Sequence, residues 1–283
     1  MSISAKTCFI QFLAAVCGTF TVLQTSPLAA AETVLRVCTS RIEAPFSYPD
    51  GSGFENKIAT AVAQAMGRKV EFIWTDRAAI YLVRDLLDKN ECDVVVGLDP
   101  NDPRVLTTRP YYRSGYAIVT KADRNLSINA WSSPDLMAMK QVAMGFSSAP
   151  EAMFKKIGKY EDNINYIYEL IDFKSRRNQY IRIDPGMMVS QVAQGKADAA
   201  IAFAPELARY VRDSTVPLNL SFVPPDETGS GETVIFEYNQ TMGVRRGDTK
   251  LRDALNKAIE KAMPQISAIL KQEAVPTLPI DQS

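Results

Sequence analysis

The sequence predicts an α/β protein built as two similar lobes, and three observations carry that expectation. Short apolar runs of strand length alternate with segments of helical period in the order β-α-β-α-β, from "VLRVCTS" to "CDVVVG". The same rhythm restarts after Trp131. Two stretches share one layout, "VRDLLDKNECDVVVG" and "VSQVAQGKADAAIAF": an amphipathic helix, a polar turn, one small residue, an Asp and a buried strand. No fixed period links them, which excludes a solenoid.

The elements follow in chain order. "VLRVCTS" is a β-branched strand, and the Pro, Asp and Gly of "APFSYPDGSG" mark a loop after it. In "FENKIATAVAQAMG", Phe54, Ile58, Val62 and Met66 recur at helical spacing and Gly67 stands where a helix stops. "KVEFIWT" then reads as strand, "AAIYLVRDLLDKN" as an amphipathic helix and "CDVVVG" as a strand covered on both faces. The second unit reads "QVAMG" strand, "APEAMFKKIG" helix, "INYIYEL" strand, "GMMVSQVAQGK" helix and "ADAAIAF" strand.

The remaining segments connect the lobes. "TTRPYYRSGYAIVTKADRN" carries the chain out of the first lobe, and "EYNQTMGVRRGD" brings it back after a Pro- and Gly-rich loop. The closing helix, "TKLRDALNKAIEKAMPQISAILKQ", contains Pro264, which should end or kink it. These boundaries give a leader over 1–31, lobe one over 32–120, lobe two over 121–238, and a return strand with the C-terminal helix over 239–283. Two crossings between two α/β lobes make a hinge, and the cleft between them is where a ligand would sit.

Composition narrows the chemistry. Basic and acidic side chains balance at 32 each, so neither nucleic acid nor an anionic membrane is a favoured partner. The chain has no histidine, which excludes His-dependent triads, imidazole metal sites and imidazole bases. Lys6, the apolar run "FIQFLAAVCGTFTVL" and the small residues Ala29 and Ala31 read as a secretory signal cleaved before Glu32. Val16 argues against lipidation at Cys17, and no stretch after the leader is long enough to span a membrane. Removing the leader leaves Cys38 and Cys92, a pair that in an oxidising compartment favours a disulfide over two buried thiols.

The order "RVCTSRIEAPFSYPDGSGFENKIA", "CDVVVG", "RPYYRSGYAIV", "QVAMGFSSAPEAMF" and "ADAAIAFAPELARYV" resembles the type II periplasmic solute-binding proteins over nearly the whole chain after the leader. "GFENKIA", "CDVVVGL", "TTRPYYRS" and the two cysteines look more narrowly like the quinoprotein dehydrogenase-associated branch, the MxaJ/XoxJ type of methanol-oxidising bacteria. The resemblance implies a two-lobed type II periplasmic binding protein fold and a periplasmic location. It also implies work beside a pyrroloquinoline quinone (PQQ)-dependent methanol dehydrogenase, with no catalysis and no cofactor of its own. In this fold the first strand and the "CDVVVG" strand lie side by side, so Cys38 and Cys92 come within bridging reach. Their disulfide would add about 3 to 4 kcal/mol.

Amino acid-binding relatives in that family grip a carboxylate with an Arg after the "DVVVG"-like strand, here Arg104. Asp99, Asn101 and Asp102 stand where hydroxyls are usual, and a carboxylate beside Arg104 competes with an incoming anion. Ser40 and Glu43 replace an Asp and an aromatic residue, and Phe203 replaces a carboxylate that completes ammonium binding. A free amino acid is therefore not the expected ligand. Ser147 and Ser148 precede a helix N-terminus, where they either hold an anion or simply cap the helix. Phe203, Phe46 and Tyr48 are read as an apolar cleft floor or as lobe core. Pro110 bends the crossing segment, Tyr111 and Tyr112 pack against the hinge, and Arg109 and Arg113 belong to the cleft rim or to surface ion pairs.

Three functions compete. The first is an accessory protein that assists assembly, maturation or activation of the dehydrogenase by binding it or a segment of it. The second is the solute receptor of an ABC transporter, which would keep Arg104 as an anion grip. An enzyme using carboxylates such as Asp99 and Asp102 ranks last, because acidic residues on a loop are usually solvated.

Overall fold

The sheet is assembled from strands that sequence order separates. The computed structural model describes residues 34–171 and 182–281; the predicted leader lies outside the described residues. In chain order the elements are β1 (Val34–Ser40), α1 (Phe54–Ala65), β2 (Lys69–Thr75), β3 (Val94–Leu98), β4 (Leu106–Thr107) and β5 (Tyr112–Lys121). They continue with α2 (Pro134–Met137), β6 (Val142–Met144), α3 (Ala149–Lys156), α4 (Tyr160–Glu169), α5 (Pro185–Ala193), β7 (Ala199–Phe203) and α6 (Ala204–Arg212). The chain closes with β8 (Leu218–Phe222), β9 (Glu237–Val244) and α7 (Thr249–Gln272).

The strands run in the order β2-β1-β3-β9-β5-β7-β6, with β4 on β9 and β8 on β5. β1 pairs in parallel with both β2 and β3, and β6 pairs in parallel with β7, as expected for strands joined by helical crossovers. β5 and β9 are the crossings. Tyr112–Gly115 of β5 pair with β9, whereas Tyr116–Val119 pair with β7 and Ala117–Lys121 with β8. The strand changes partner within itself, so its pairing shares it between lobes where the sequence division assigned it through residue 120 to the first.

Each lobe has its own core. Lobe one packs Leu35, Val37, Phe54, Ile58, Val62 and Tyr111 against Leu255, Ile259 and Ile266 of α7. Lobe two packs Ile118, Trp131, Met144, Met153, Phe154 and Ile201. α6 straddles the two, with Leu207 in the second core and Ala208 in the first. A smaller cluster surrounds Cys38 and Cys92, which are bonded with their Cα atoms 5.4 Å apart.

Three segments depart from the sequence reading. "INYIYEL" forms α4, because the buried residues Asn163, Tyr166, Ile167 and Leu170 fall at helical intervals of three and one. Asn163 then uses its amide on the edge strand: Oδ1 accepts from Val142 N at 2.8 Å and Nδ2 donates to Val142 O at 2.8 Å. The helix expected over "AAIYLVRDLLDKN" is a 3₁₀ turn at Ala79–Tyr81 followed by a π-turn at Val83–Leu87. There Asp88 N and Glu91 N bond to carbonyls five residues back, which lets Leu82, Val83 and Leu87 all reach the disulfide cluster. α7 runs unbroken through Pro264. That residue and Glu260, whose carbonyl it leaves free, are on the exposed side of the helix, while buried Ala262 and Ile266 hold the helix down on either side.

Candidate functional site

A cavity of about 360 Å³ opens where the ends of β1 and β3 meet lobe two beside the crossing strands. Lobe one contributes Ser40, Glu43, Phe46 and Ser47, the first turn of α1 through Glu55 and Asn56, and Gly97 and Asp99. Lobe two supplies Tyr116, Phe203 and Glu206, and β9 supplies Tyr238 and Gln240. Gly97 is required where it stands: its φ is +76°, and a Cβ would collide with the Glu55 carboxyl.

Four carboxylates line this space, Glu43, Glu55, Asp99 and Glu206, and among the described residues no Lys or Arg does. Burial pushes Glu55 up to about 8, and the neighbouring Glu43 adds to the rise. Burial also raises Glu206, with Arg182 opposing and Glu43 reinforcing. Asp99 is raised by burial and then by Asp102, against a hydrogen bond from Gln240. Among the described residues the Glu55 carboxyl has neither a hydrogen-bond nor an ion-pair partner, and the residue is half-buried and lines the cavity. Arg182 stands outside the lining and bridges the lobes. Its Nε lies 3.3 Å from Glu43 Oε2, its Nη2 lies 3.9 Å from Glu206 Oε1, and Nη1 donates to Ile42 O at 3.1 Å.

The opposite wall is aromatic. Tyr116, Phe203 and Tyr238 stand in a triangle with ring centroids 5.9, 6.3 and 6.4 Å apart. Phe46 leans on the Phe54 ring at 5.1 Å. Among the described residues no group of three or more His, Cys, Asp or Glu is placed to hold a metal ion. The arrangement sets acidic side chains, ready to ionise beside a positive charge, next to aromatic rings, which favours a cation over an anion.

The residues singled out from sequence divide between this cavity and other places. Ser40, Glu43, Phe46, Asp99 and Phe203 are in its wall. Ser40 Oγ donates to Arg77 O at 2.8 Å, so its hydroxyl is engaged with the backbone. Tyr48 lies beside the cavity, its hydroxyl 3.3 Å from that of Tyr210 on α6. Arg104 is elsewhere: Asp102 accepts from its Nε at 3.0 Å and its Nη2 at 2.6 Å, and Ile80 O accepts from Nη1. Ser148 caps α3, accepting from Glu151 N at 3.3 Å, and Glu151 Oε2 accepts from Ser147 N. That helix N-terminus is thus already occupied by a carboxylate of its own chain.

Tyr111 and Tyr112 are lobe-one core beneath the crossing, with no place on a rim. Tyr111 Oη accepts from Gly97 N at 3.1 Å. Arg109 clasps α7 through Asn256 and Glu260. Arg113 ties the two crossing strands together through Glu237 at 2.7 Å.

Sequence reasoning missed Glu55, Glu206 and Arg182. Glu55 and Glu206 each sit in a helix's first turn, where an acidic residue ordinarily complements the helix dipole, so neither carried a signal of burial.

Two α/β lobes on crossing strands around a cleft define a binding-protein class, and the chain belongs to the bacterial extracellular solute-binding proteins, family 3, over residues 35–272. Within it, the chain is 49% identical over 287 residues to Protein MoxJ of Methylorubrum extorquens, covering 99% of this chain and 95% of that one. It is 43% identical over 255 residues to Protein MoxJ of Paracoccus denitrificans, covering 90% and 92%. The crystal structure of MxaJ from Methlophaga aminisulfidivorans MPT superposes with a TM-score of 0.82 at 47% identity, covering 86% of this chain and 100% of that one.

Proposed function

We propose that the chain is a non-catalytic periplasmic accessory protein of methanol oxidation. It assists assembly, maturation or activation of a PQQ-dependent methanol dehydrogenase by binding the enzyme or a segment of it. The observation that carries this reading is a cleft with no basic lining residue among the described residues, while Arg104, the Arg expected to grip an amino acid carboxylate, lies outside it and is held by Asp102. Similarity to the MoxJ proteins over nearly the full chain supports the same reading. PQQ belongs to the dehydrogenase; the accessory protein needs no cofactor.

Co-purification from periplasm, with and without the dehydrogenase present, tests the proposal. The expected result is association, with reduced cofactor or metal loading of the enzyme when the accessory gene is deleted. Absence of association together with unchanged loading overturns it. The competing reading, a receptor delivering a small organic solute to an ABC transporter, is favoured by the presence of an interlobe cavity of about 360 Å³. Uptake of such a solute lost on deletion, with methanol oxidation intact, would establish that reading in its place.

A further inference from the structure

We propose that the interlobe cavity binds an organic cation, an ammonium or guanidinium group on an apolar body with no accompanying carboxylate. The inference rests on the cavity being the binding site, but not on the dehydrogenase being the partner.

Three independent features of the cavity point the same way. Charge is the first: four carboxylates line it from both lobes, and among the described residues no basic side chain does. An anion or a zwitterion would bring its carboxylate against Glu55 and Asp99, which have no cationic partner among the described residues, while Arg182 is already engaged with Glu43 and Glu206. The second is an unmet demand. The Glu55 carboxyl has no partner among the described residues, although it is half-buried in the cavity wall and a side chain at Gly97 would collide with it. Its high proton affinity is what an enclosed carboxylate shows while its counter-ion is missing. The third is the cluster of Tyr116, Phe203 and Tyr238 in the lining, since aromatic rings are the groups that recognise substituted ammonium ions.

Other cations fit less well. A divalent metal needs several hard oxygen ligands converging on one point, and the described acids do not converge so. Arg182 meets Glu43 and Glu206 from outside the lining, leaving Glu55 and Asp99 to face the cavity without it.

Calorimetric titration of the folded chain with n-butylammonium, tetramethylammonium and agmatine tests the proposal, with n-butanol, butyrate and calcium ion as comparisons. An acetylated and amidated Ala-Lys-Ala peptide separates a protein side chain from a free amine as the source of the cation. At least one of the cations should bind ten times or more tighter than n-butanol and butyrate. Glu55→Gln and Glu206→Gln should each weaken it about tenfold or more, with thermal unfolding showing that the variants are folded. Binding near pH 7 should release a proton in the parent chain and not in Glu55→Gln. Phe203→Leu, a second route if Glu55→Gln does not fold, should weaken tetramethylammonium several-fold. Equal binding of n-butanol, binding of butyrate or calcium alone, or no saturable cation binding overturns the inference. If the dehydrogenase co-purifies while no cation binds, only this inference falls and the accessory role stands.

Discussion

Glu55 and Glu273 are enclosed glutamates with opposite pH signatures, because one lacks a counter-ion and the other has several. Glu55 is raised from 4.5 to about 8 by burial and by Glu43, so between these values the folded state holds a proton that the unfolded chain has lost. The groups around it are Glu43 on the loop after β1, Asp99 beyond β3, Glu206 on α6, and Tyr111 and Tyr112 on the crossing segment. Stability from this residue is therefore full below pH 4.5 and is lost as pH rises through about 8, by on the order of a few kcal/mol. Glu55→Gln should flatten the fall in melting temperature between pH 5 and 9, and an unchanged slope would contradict the assignment. Burial raises Glu273 as well, but hydrogen bonds from Arg209 and Lys57 outweigh it and hold the carboxyl below its usual range. Its contribution is present above pH 4.5 and lost on acidification. Glu273 meets Lys57 Nζ at 2.6 Å, Arg209 Nε at 2.8 Å and Arg212 Nη1 at 3.4 Å, so Glu273→Ala should cost about 2 to 4 kcal/mol in chemical denaturation at pH 7.

Elements explain where the sequence was readable and where it misled. α1 was legible because Phe54, Ile58 and Val62 mark one face and Gly67 ends it; all three are buried as that spacing requires. α4 was not, since "INYIYEL" alternates like a strand while its actual anchor, Asn163, lies one residue before the quoted run. The disulfide joins β1 to the start of β3 across 54 residues, and replacing both cysteines by Ser should lower stability by about 3 kcal/mol. Denaturant titration with and without reductant checks this, and reductant should leave the double variant unaffected. Pro264 allows a prediction in the other direction. It removes a backbone donor from an otherwise continuous helix on its solvent side, so Pro264→Ala should raise the melting temperature, by about 1 to 3 kcal/mol in stability.

At the scale of the molecule, two strands join the lobes and a few side chains hold them together. Arg182 reaches Ile42 O and Glu43, Tyr48 meets Tyr210, and Arg209 Nη2 donates to Ser52 O at 3.1 Å. Arg182→Ala should therefore speed hydrogen exchange over residues 42–47 severalfold, leaving the core of lobe two, around Ile201, protected as before. Loss of protection spread evenly over both lobes would show that Arg182 stabilises the fold as a whole and not the closure.

The sequence by itself determined the α/β class, the repeated lobe, the cysteine pair and the exclusion of imidazole chemistry, because periodicity and composition are local and survive without a structure. Five residues singled out from the sequence, Ser40, Glu43, Phe46, Asp99 and Phe203, line the cavity; the first two and last two came from the resemblance to amino acid-binding proteins and Phe46 from its aromatic character. Tertiary structure alone decided the character of the cleft. Glu55 and Glu206 look like ordinary first-turn acids until the lobes face each other, and Arg104 looks like an anion grip until Asp102 is seen to hold it. Charge and burial at a site depend on which distant segments enclose it, and that depends on the packing of strands 100 or more residues apart, such as β3 with β9.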